Sequence, residues 1–348
     1  MLIVNEPHDD SGHEERGHPE RPDRTRAVMD GVAALNLDSD LEFVAARVAT
    51  RAELTRVHEG AYLDELGVFC YEGGGDIDQD TYATFDSWRI AQYAAGAGLA
   101  VIERLRELND GVGFVVTRPP GHHALRDRAM GFCLLNNIAV AAASLTAQGE
   151  RVLIIDWDVH HGNGTQTIFW NDPNVLYVST HEWPLFPGSG TPHEIGGVNA
   201  LGRTVNIPLP SGATGDIIIR SIEQVAAPVI DEFAPTWVLV SAGYDGHRDD
   251  PLASLALSSG DFAALAKKVG AFAPRSGRLA LFLEGGYDLR ALSTSVTATL
   301  SALLDGEHVA DATTNGGPGG EHVDRAHESR RSALRLAHEV AAHEEREA

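Results

Sequence analysis

Asp156-Trp157-Asp158-Val159-His160-His161 follows directly on the apolar run Val152 to Ile155, and glycines stand on either side of Asn163 just beyond it. Carboxylate and imidazole groups are costly to bury unless a charge compensates them. A divalent metal ion is the simplest compensation. Asp158 and His160 stand two apart, so extended backbone would send both side chains to one face. This spacing predicts a metal-ligand site at the end of a buried strand.

Four other apolar runs finish in similar residues. Phe114 to Val116 leads into Thr117-Arg118-Pro119-Pro120-Gly121-His122-His123. Val175 to Val178 leads into Ser179-Thr180-His181. Trp237 to Val240 leads into Ser241-Ala242-Gly243-Tyr244-Asp245. Leu279 to Leu283 leads into Glu284-Gly285-Gly286-Tyr287. In a parallel α/β sheet the carboxyl ends of the strands lie on one side, where ligands bind. Residues scattered along the chain thus converge on one site, which argues for an enzyme. Helical stretches alternate with these runs: Arg21 to Leu35, Ser87 to Leu108, Asn137 to Ala147, Asp216 to Phe233, Asp261 to Phe272 and Leu289 to Leu304. Alternating β and α segments predict a mostly parallel sheet covered by helices on both faces.

With 348 residues, 43% of them hydrophobic, the chain can bury a large core as one α/β domain or two smaller ones. No apolar stretch is long enough to span a bilayer, and the acidic start, Glu6 to Asp10, is unlike a secretory signal. Cys70 and Cys133 give no disulfide framework, so a reducing cytoplasm is expected. The formal charge of −23 argues against nucleic acid and would favour cationic substrates such as lysine side chains or polyamines, unless it serves solubility alone. Composition changes near Gly306. The glycine-rich 315–320 segment reads as a linker or flexible turn, and Arg330 to Glu347 as a peripheral helix or mobile tail. His322, His327, His338 and His343 read as solvated. The boundaries expected are a domain over 1–305 and a polar linker with a C-terminal helix or tail over 306–348.

These blocks together resemble the histone deacetylase superfamily. The resemblance rests on His18-Pro19-Glu20-Arg21-Pro22, Arg118-Pro119-Pro120-Gly121-His122-His123, Gly131-Phe132-Cys133 with Asn136-Asn137, the Asp156 to Gly164 segment, Phe186-Pro187-Gly188-Ser189-Gly190, Ser241 to Asp245 with Asp250-Pro251-Leu252, and Glu284 to Tyr287. They occur in order from about residue 10 to about residue 304. Asn163 and the Phe186 to Gly190 block are similar to the class II branch, which includes bacterial acetylpolyamine amidohydrolases. The resemblance implies a single-domain arginase/deacetylase fold, α/β, with a central mostly parallel sheet of about eight strands between helical layers. It implies hydrolysis of N-acyl amides by metal-activated water.

Residue by residue, it implies zinc ligation by Asp158, His160 and Asp245, a set that also suits ferrous iron or cobalt. His123 would be the main general base and acid, with His122 mainly electrostatic. Asp156 would hold His122, and Asn163 would orient His123. Tyr287 would donate to the substrate carbonyl. Gly131, Phe132 and Phe186 would line an acyl-lysine tunnel with Leu252 at its rim, and a leucine there leans toward neutral-rim substrates. A potassium ion would sit by Ser179 and the backbone of Asp156, Asp158 and His160. His161 would point away as a structural residue. The substrates implied are an acylated lysine peptide or protein or an acylated polyamine, with no nucleic acid and no membrane partner; the chain is compatible with a homo-oligomer. Competing readings are a non-catalytic acyl-lysine binder, which would need a broken ligand set, and a binuclear manganese ureohydrolase, which would need further ligands.

Overall fold

The computed structural model describes residues 1–37 and 40–347. In chain order the strands are β1 (Leu2–Asn5), β2 (Leu41–Val44), β3 (Gly74–Asp76), β4 (Tyr82–Thr84), β5 (Val112–Val115), β6 (Val152–Asp156), β7 (Val175–Glu182), β8 (Thr204–Leu209), β9 (Trp237–Ala242) and β10 (Leu279–Leu283). The helices are α1 (Asp23–Ala33), α2 (Arg51–Leu54), α3 (Gly60–Tyr71), α4 (Ser87–Leu108), α5 (Asn137–Thr146), α6 (Asn163–Ile168), α7 (Gly215–Ser221), α8 (Ala227–Phe233), α9 (Ser259–Gly270), α10 (Leu289–Leu303) and α11 (Gly320–Glu347).

Eight strands form one sheet in the order β2-β1-β5-β10-β9-β6-β7-β8, and its neighbours pair in parallel; β3 and β4 form a separate antiparallel hairpin. Both faces of the large sheet are covered, so its central strands β6, β9 and β10 are near-continuous apolar runs rather than alternating. The period of two still sorts the side chains. Val152, Ile154, Trp237 and Leu239 pack with α3, α4 and α5, while Leu153, Ile155, Val238 and Val240 pack with α1, α7, α8, α9 and α10.

The expected helix over Asp216 to Phe233 is interrupted. A π-helical segment, Ile222–Ala226, separates α7 from α8 next to Pro228. Proline has no N–H and crowds the preceding turn, and a widened turn accommodates it. The last helix begins at Gly320, ten residues before the expected start, because Val323 and Ala326 are buried against the body. The preceding segment is also tied down. Thr314 Oγ1 donates to Asp261 Oδ2 (2.7 Å), and Gly317 N–H donates to Thr214 Oγ1 (2.9 Å). The imidazoles of His338 and His343 lie outside the described residues. No described helix is long and apolar enough to cross a membrane.

Candidate active site

The loops after β5, β10, β9 and β6, the four central neighbours in the sheet, meet at the carboxyl ends of the strands. They carry His122 and His123, Tyr287, Asp245, and Asp158 with His160, respectively. β6 stops at Asp156, and side-chain hydrogen bonds to backbone shape the turn that follows. Asp158 N–H donates to Asp156 Oδ1 (3.2 Å) and His160 N–H to Asp158 Oδ1 (2.9 Å). This turn brings Asp158 and His160 together, not the extended backbone expected from their spacing. Val159 N–H donates to Asp245 Oδ1 (3.0 Å), which ties the β6 loop to the β9 loop.

His160 Nδ1 lies 3.3 Å from Asp158 Oδ1 and 3.1 Å from Asp245 Oδ2. One ligand atom from each of the three residues lies within 4.8 Å of the others. Burial, and then the charge of Asp158, push the Asp245 carboxyl up to about 7. Burial opposes charge on His160, but both carboxylates outweigh it and raise the imidazole to about 10. A proton and a divalent cation therefore compete for the same place. Two carboxylates and one imidazole at this separation fit a small divalent ion with an open coordination position. Gly243 and Gly285 allow the close approach, since a Cβ on either would run into the Asp158 or Asp245 carboxylate.

The adjacent histidines have different partners. His122 Nδ1 lies 3.1 Å from Asp156 Oδ2, and Tyr177 Oη donates to that same oxygen (3.0 Å). His123 Nδ1 lies 2.8 Å from Asn163 Oδ1. Burial disfavours the charged form of both. For His122 the charges of Asp158, Asp156 and Glu284 outweigh burial and raise it to about 10. For His123 the charges of His122 and His160 add to burial and hold it well below the usual imidazole range. An amide oxygen can only accept, so Asn163 places a proton on His123 Nδ1 and leaves the Nε2 lone pair free.

A cavity of about 230 Å³ opens over this floor, lined by His122, His123, His160, Gly131, Phe132, Phe186, Leu185, Leu252, Tyr287 and Asp80, among others. Gly131 and Phe132 have φ of 56° and 67°, and Met130 and Cys133 exchange backbone hydrogen bonds at 3.1 and 3.0 Å. Positive φ at both central residues makes this a type I′ turn, and the Phe132 ring lines the cavity from it. A left-handed phenylalanine costs on the order of 1–3 kcal/mol, a strain that recurs at functional sites. A Cβ at Gly131 would approach His123 to 2.6 Å. Tyr287 packs edge-on to Phe132, with ring centroids 5.7 Å apart. Burial raises the Tyr287 phenol well above its usual range, so it stays protonated and can donate.

The Histone deacetylase domain family matches residues 18–303 of the chain. The chain belongs to the histone deacetylase family. It is 39% identical over 319 residues to Histone deacetylase 10, chloroplastic, of Oryza sativa, covering 84% of this chain and 71% of that one. It is 38% identical over 325 residues to a probable deacetylase of Methanothermobacter thermautotrophicus, covering 92% and 95%. It is 36% identical over 276 residues to a histone deacetylase-like amidohydrolase of Pseudomonas aeruginosa, covering 78% and 73%. The crystal structure of the HDA15 HD domain superposes with a TM-score of 0.87 at 34% identity, covering 97% of this chain and 99% of that one. The chain is thus an enzyme, a hydrolase of the deacetylase kind, with the α/β fold of its family.

Several residues of this deacetylase site carried no role in the sequence. Glu284 is buried, and its Oε2 accepts from Gly121 N–H (2.7 Å) and His122 N–H (3.1 Å), fixing the histidine loop. Arg24 donates to the backbone oxygens of Gly286 (2.7 Å) and Glu284, and its guanidinium lies 4.9 Å from the Tyr287 ring centre. Asp250 Oδ2 accepts from Tyr287 N–H (2.7 Å). Glu284 and Asp250 stand in the family-like blocks, but a buried carboxylate that accepts mainly from backbone leaves no spacing signal. One expected convergence does not occur. Ser179, Thr180 and His181 lie within β7, not after it, and His181 Nε2 lies 3.1 Å from Gly190 O, away from the cavity. Ser179 is buried beside Asp156, with its Oγ 2.9 Å from His181 Nδ1. His161 likewise does not line the cavity; its ring nitrogens lie 2.8 Å from Ser189 Oγ and 3.0 Å from Gln166 Oε1. Leu252 lines the cavity as expected, and the β3–β4 hairpin carries Asp80 to the same cavity from a distant part of the chain.

Proposed function

We propose that this enzyme removes acetyl or short acyl groups from N-acyl-lysine or related amines, using a zinc-like ion. The observation that carries the reading is the Asp158, His160, Asp245 set at the floor of an aromatic-walled cavity, with His123 and Tyr287 facing it. A divalent ion bound there would supply Lewis acidity at the acyl carbonyl and at a water. His123, neutral and with Nε2 free, takes a proton from that water and returns it to the leaving amine. His122, kept cationic by Asp156, steadies negative charge developing beside it. Tyr287 donates to the carbonyl oxygen as it becomes an oxyanion. Gly131, Phe132 and Phe186 form a slot that fits a methylene stem. A potassium ion by Ser179 belongs to the same reading. We assign catalysis to residues 1–305, with 306–348 an appended segment. The two free, buried cysteines, Cys70 and Cys133, fit a cytoplasmic setting.

The test is acetate release by the zinc-loaded protein from an acetyl-lysine peptide and from N-acetylspermidine. Turnover of the peptide is expected, and failure on both substrates sinks the proposal. Tyr287→Phe should keep its metal and lose about 10²–10³ in kcat on an unactivated peptide. An unchanged rate removes Tyr287 from the mechanism. The acetylpolyamine reading rests on one observation: Asp80 is among the residues that line the cavity, and an acidic residue there would favour a second ammonium.

A further inference from the structure

A second cavity lies at the other end of the sheet. Arg203 stands immediately before β8, at the amino end of a parallel strand, whereas the catalytic loops follow carboxyl ends. The cavity is about 360 Å³, and its walls include Arg203, Arg330, Arg331 and His327, with Glu232 the acid among them. Three guanidinium groups against one carboxylate leave an excess of positive charge, in a chain whose formal charge is −23.

Arg330 is 9% exposed. It donates Nη2–H to Gly202 O (2.8 Å), and its Nε is buried with no partner among the described residues. A guanidinium offers five donors, and burying donors unmet costs free energy. Arg203 lies over the Phe233 ring, 4.9 Å from its centre, which holds the group in place without using its N–H donors. Burial, together with the charge of Arg203, disfavours the cationic form of Arg330, and Glu232 only partly opposes this.

We propose that this pocket between α11, α8 and the start of β8 binds a small dianion of the phosphate class. Planar forks match the oxygens of a phosphate in bidentate fashion, and a dianion would offset the local excess of charge. Such an anion would bridge Arg203 on the body to Arg330 and Arg331 on α11, fastening the last helix to the sheet edge.

The experiment is calorimetric titration of the full chain with inorganic phosphate, against sodium chloride at matched ionic strength, with hydrogen exchange of α11 followed in parallel. Saturable binding and slower exchange over Gly320 to Arg335 are expected. Arg203→Gln, whose side chain makes no hydrogen bond among the described residues, should weaken binding about tenfold or more while its thermal melt stays at the wild-type value. Arg330→Met should abolish binding; if it also loosens α11, Arg203→Gln remains the deciding variant. Chelator-treated protein should still bind, which separates this pocket from the catalytic centre. No saturable signal above the chloride control, wild-type affinity in Arg203→Gln, or loss of binding on chelation would each overturn the proposal.

Discussion

The Arg118–Glu20–Arg24 cluster and the Asp158–His160–Asp245 cluster are both buried at the carboxyl ends of the strands, yet only the first carries its own counter-charges. Arg118 Nη2–H donates to Glu20 Oε2 (2.6 Å) and Nη1–H to Asp10 Oδ2 (3.2 Å), while Arg24 Nη1–H donates to Glu20 Oε1 (3.1 Å). Burial pushes the Glu20 carboxyl up, but Arg118 and then Arg24 outweigh it and hold it at about 2. In the second cluster two carboxylates share one imidazole, and Asp245 is pushed the other way, to about 7. A buried cluster that balances itself holds the fold together. One that does not has the charge to receive a cation.

The sharpest way to break this comparison is to remove a ligand. Asp245→Ala should lose its metal by elemental analysis and reduce turnover to background; full occupancy would mean that the unbalanced cluster is not the metal site. Next is the balanced cluster. Glu20→Gln leaves Arg118 and Arg24 facing an amide and should cost about 3–5 kcal/mol in urea unfolding, with no dependence on added zinc. Glu20 also fixes a pH signature. Its folded value lies below the ordinary 4.5, so its contribution is fully present above about pH 4.5 and is lost as pH falls toward 2. Glu20→Gln should lack that part of the acid-unfolding slope, and an unchanged slope would contradict the pairing.

A smaller effect separates the clusters by sign. After chelation, Asp245→Asn should be as stable as wild type or more so, because it removes a buried like-charge pair. With zinc present it should melt lower than wild type, because ion binding to the native state stabilises it. Melting curves with and without chelator read both outcomes, and the same sign in both conditions would defeat the argument. The smallest effect is at the rim. Asp80→Asn should lower kcat/KM for N-acetylspermidine relative to an acetyl-lysine peptide by up to about tenfold, less at high salt. An unchanged ratio would return the rim to Leu252 alone.

Much of the architecture is legible in the apolar runs. Val152 to Ile155, Trp237 to Val240 and Leu279 to Leu283 are unbroken apolar runs that read as buried strands. β1, β2 and β8 are less legible. Leu2–Asn5 ends in Asn5, Leu41–Val44 contains Glu42, and Thr204–Leu209 carries Asn206 and Pro208. Such segments become strands only because a neighbour already offers a hydrogen-bonding edge. Conformation at a site can mislead in the same way. The spacing of Asp158 and His160 invites an extended reading, but the strand ends first, because the Asp156 and Asp158 carboxylates capture backbone N–H groups and turn the chain.

By itself the chain determined the donor types, their order, and the rule that parallel strands deliver their carboxyl ends to one side. Local pattern and charge are enough for that, since burial energy depends on residue type. Only the tertiary structure decided which loops meet. It set β10 between β5 and β9, brought Glu284 under the His122 loop, carried Asp80 to the rim, and kept His181 within β7. It also set the opposite basicities of His122 and His123. These are adjacent in sequence and identical in type, so only the resemblance, through Asp156 and Asn163, distinguishes them in the sequence. Their difference arises from through-space electrostatics, which depends on the partners that folding places a few ångströms away.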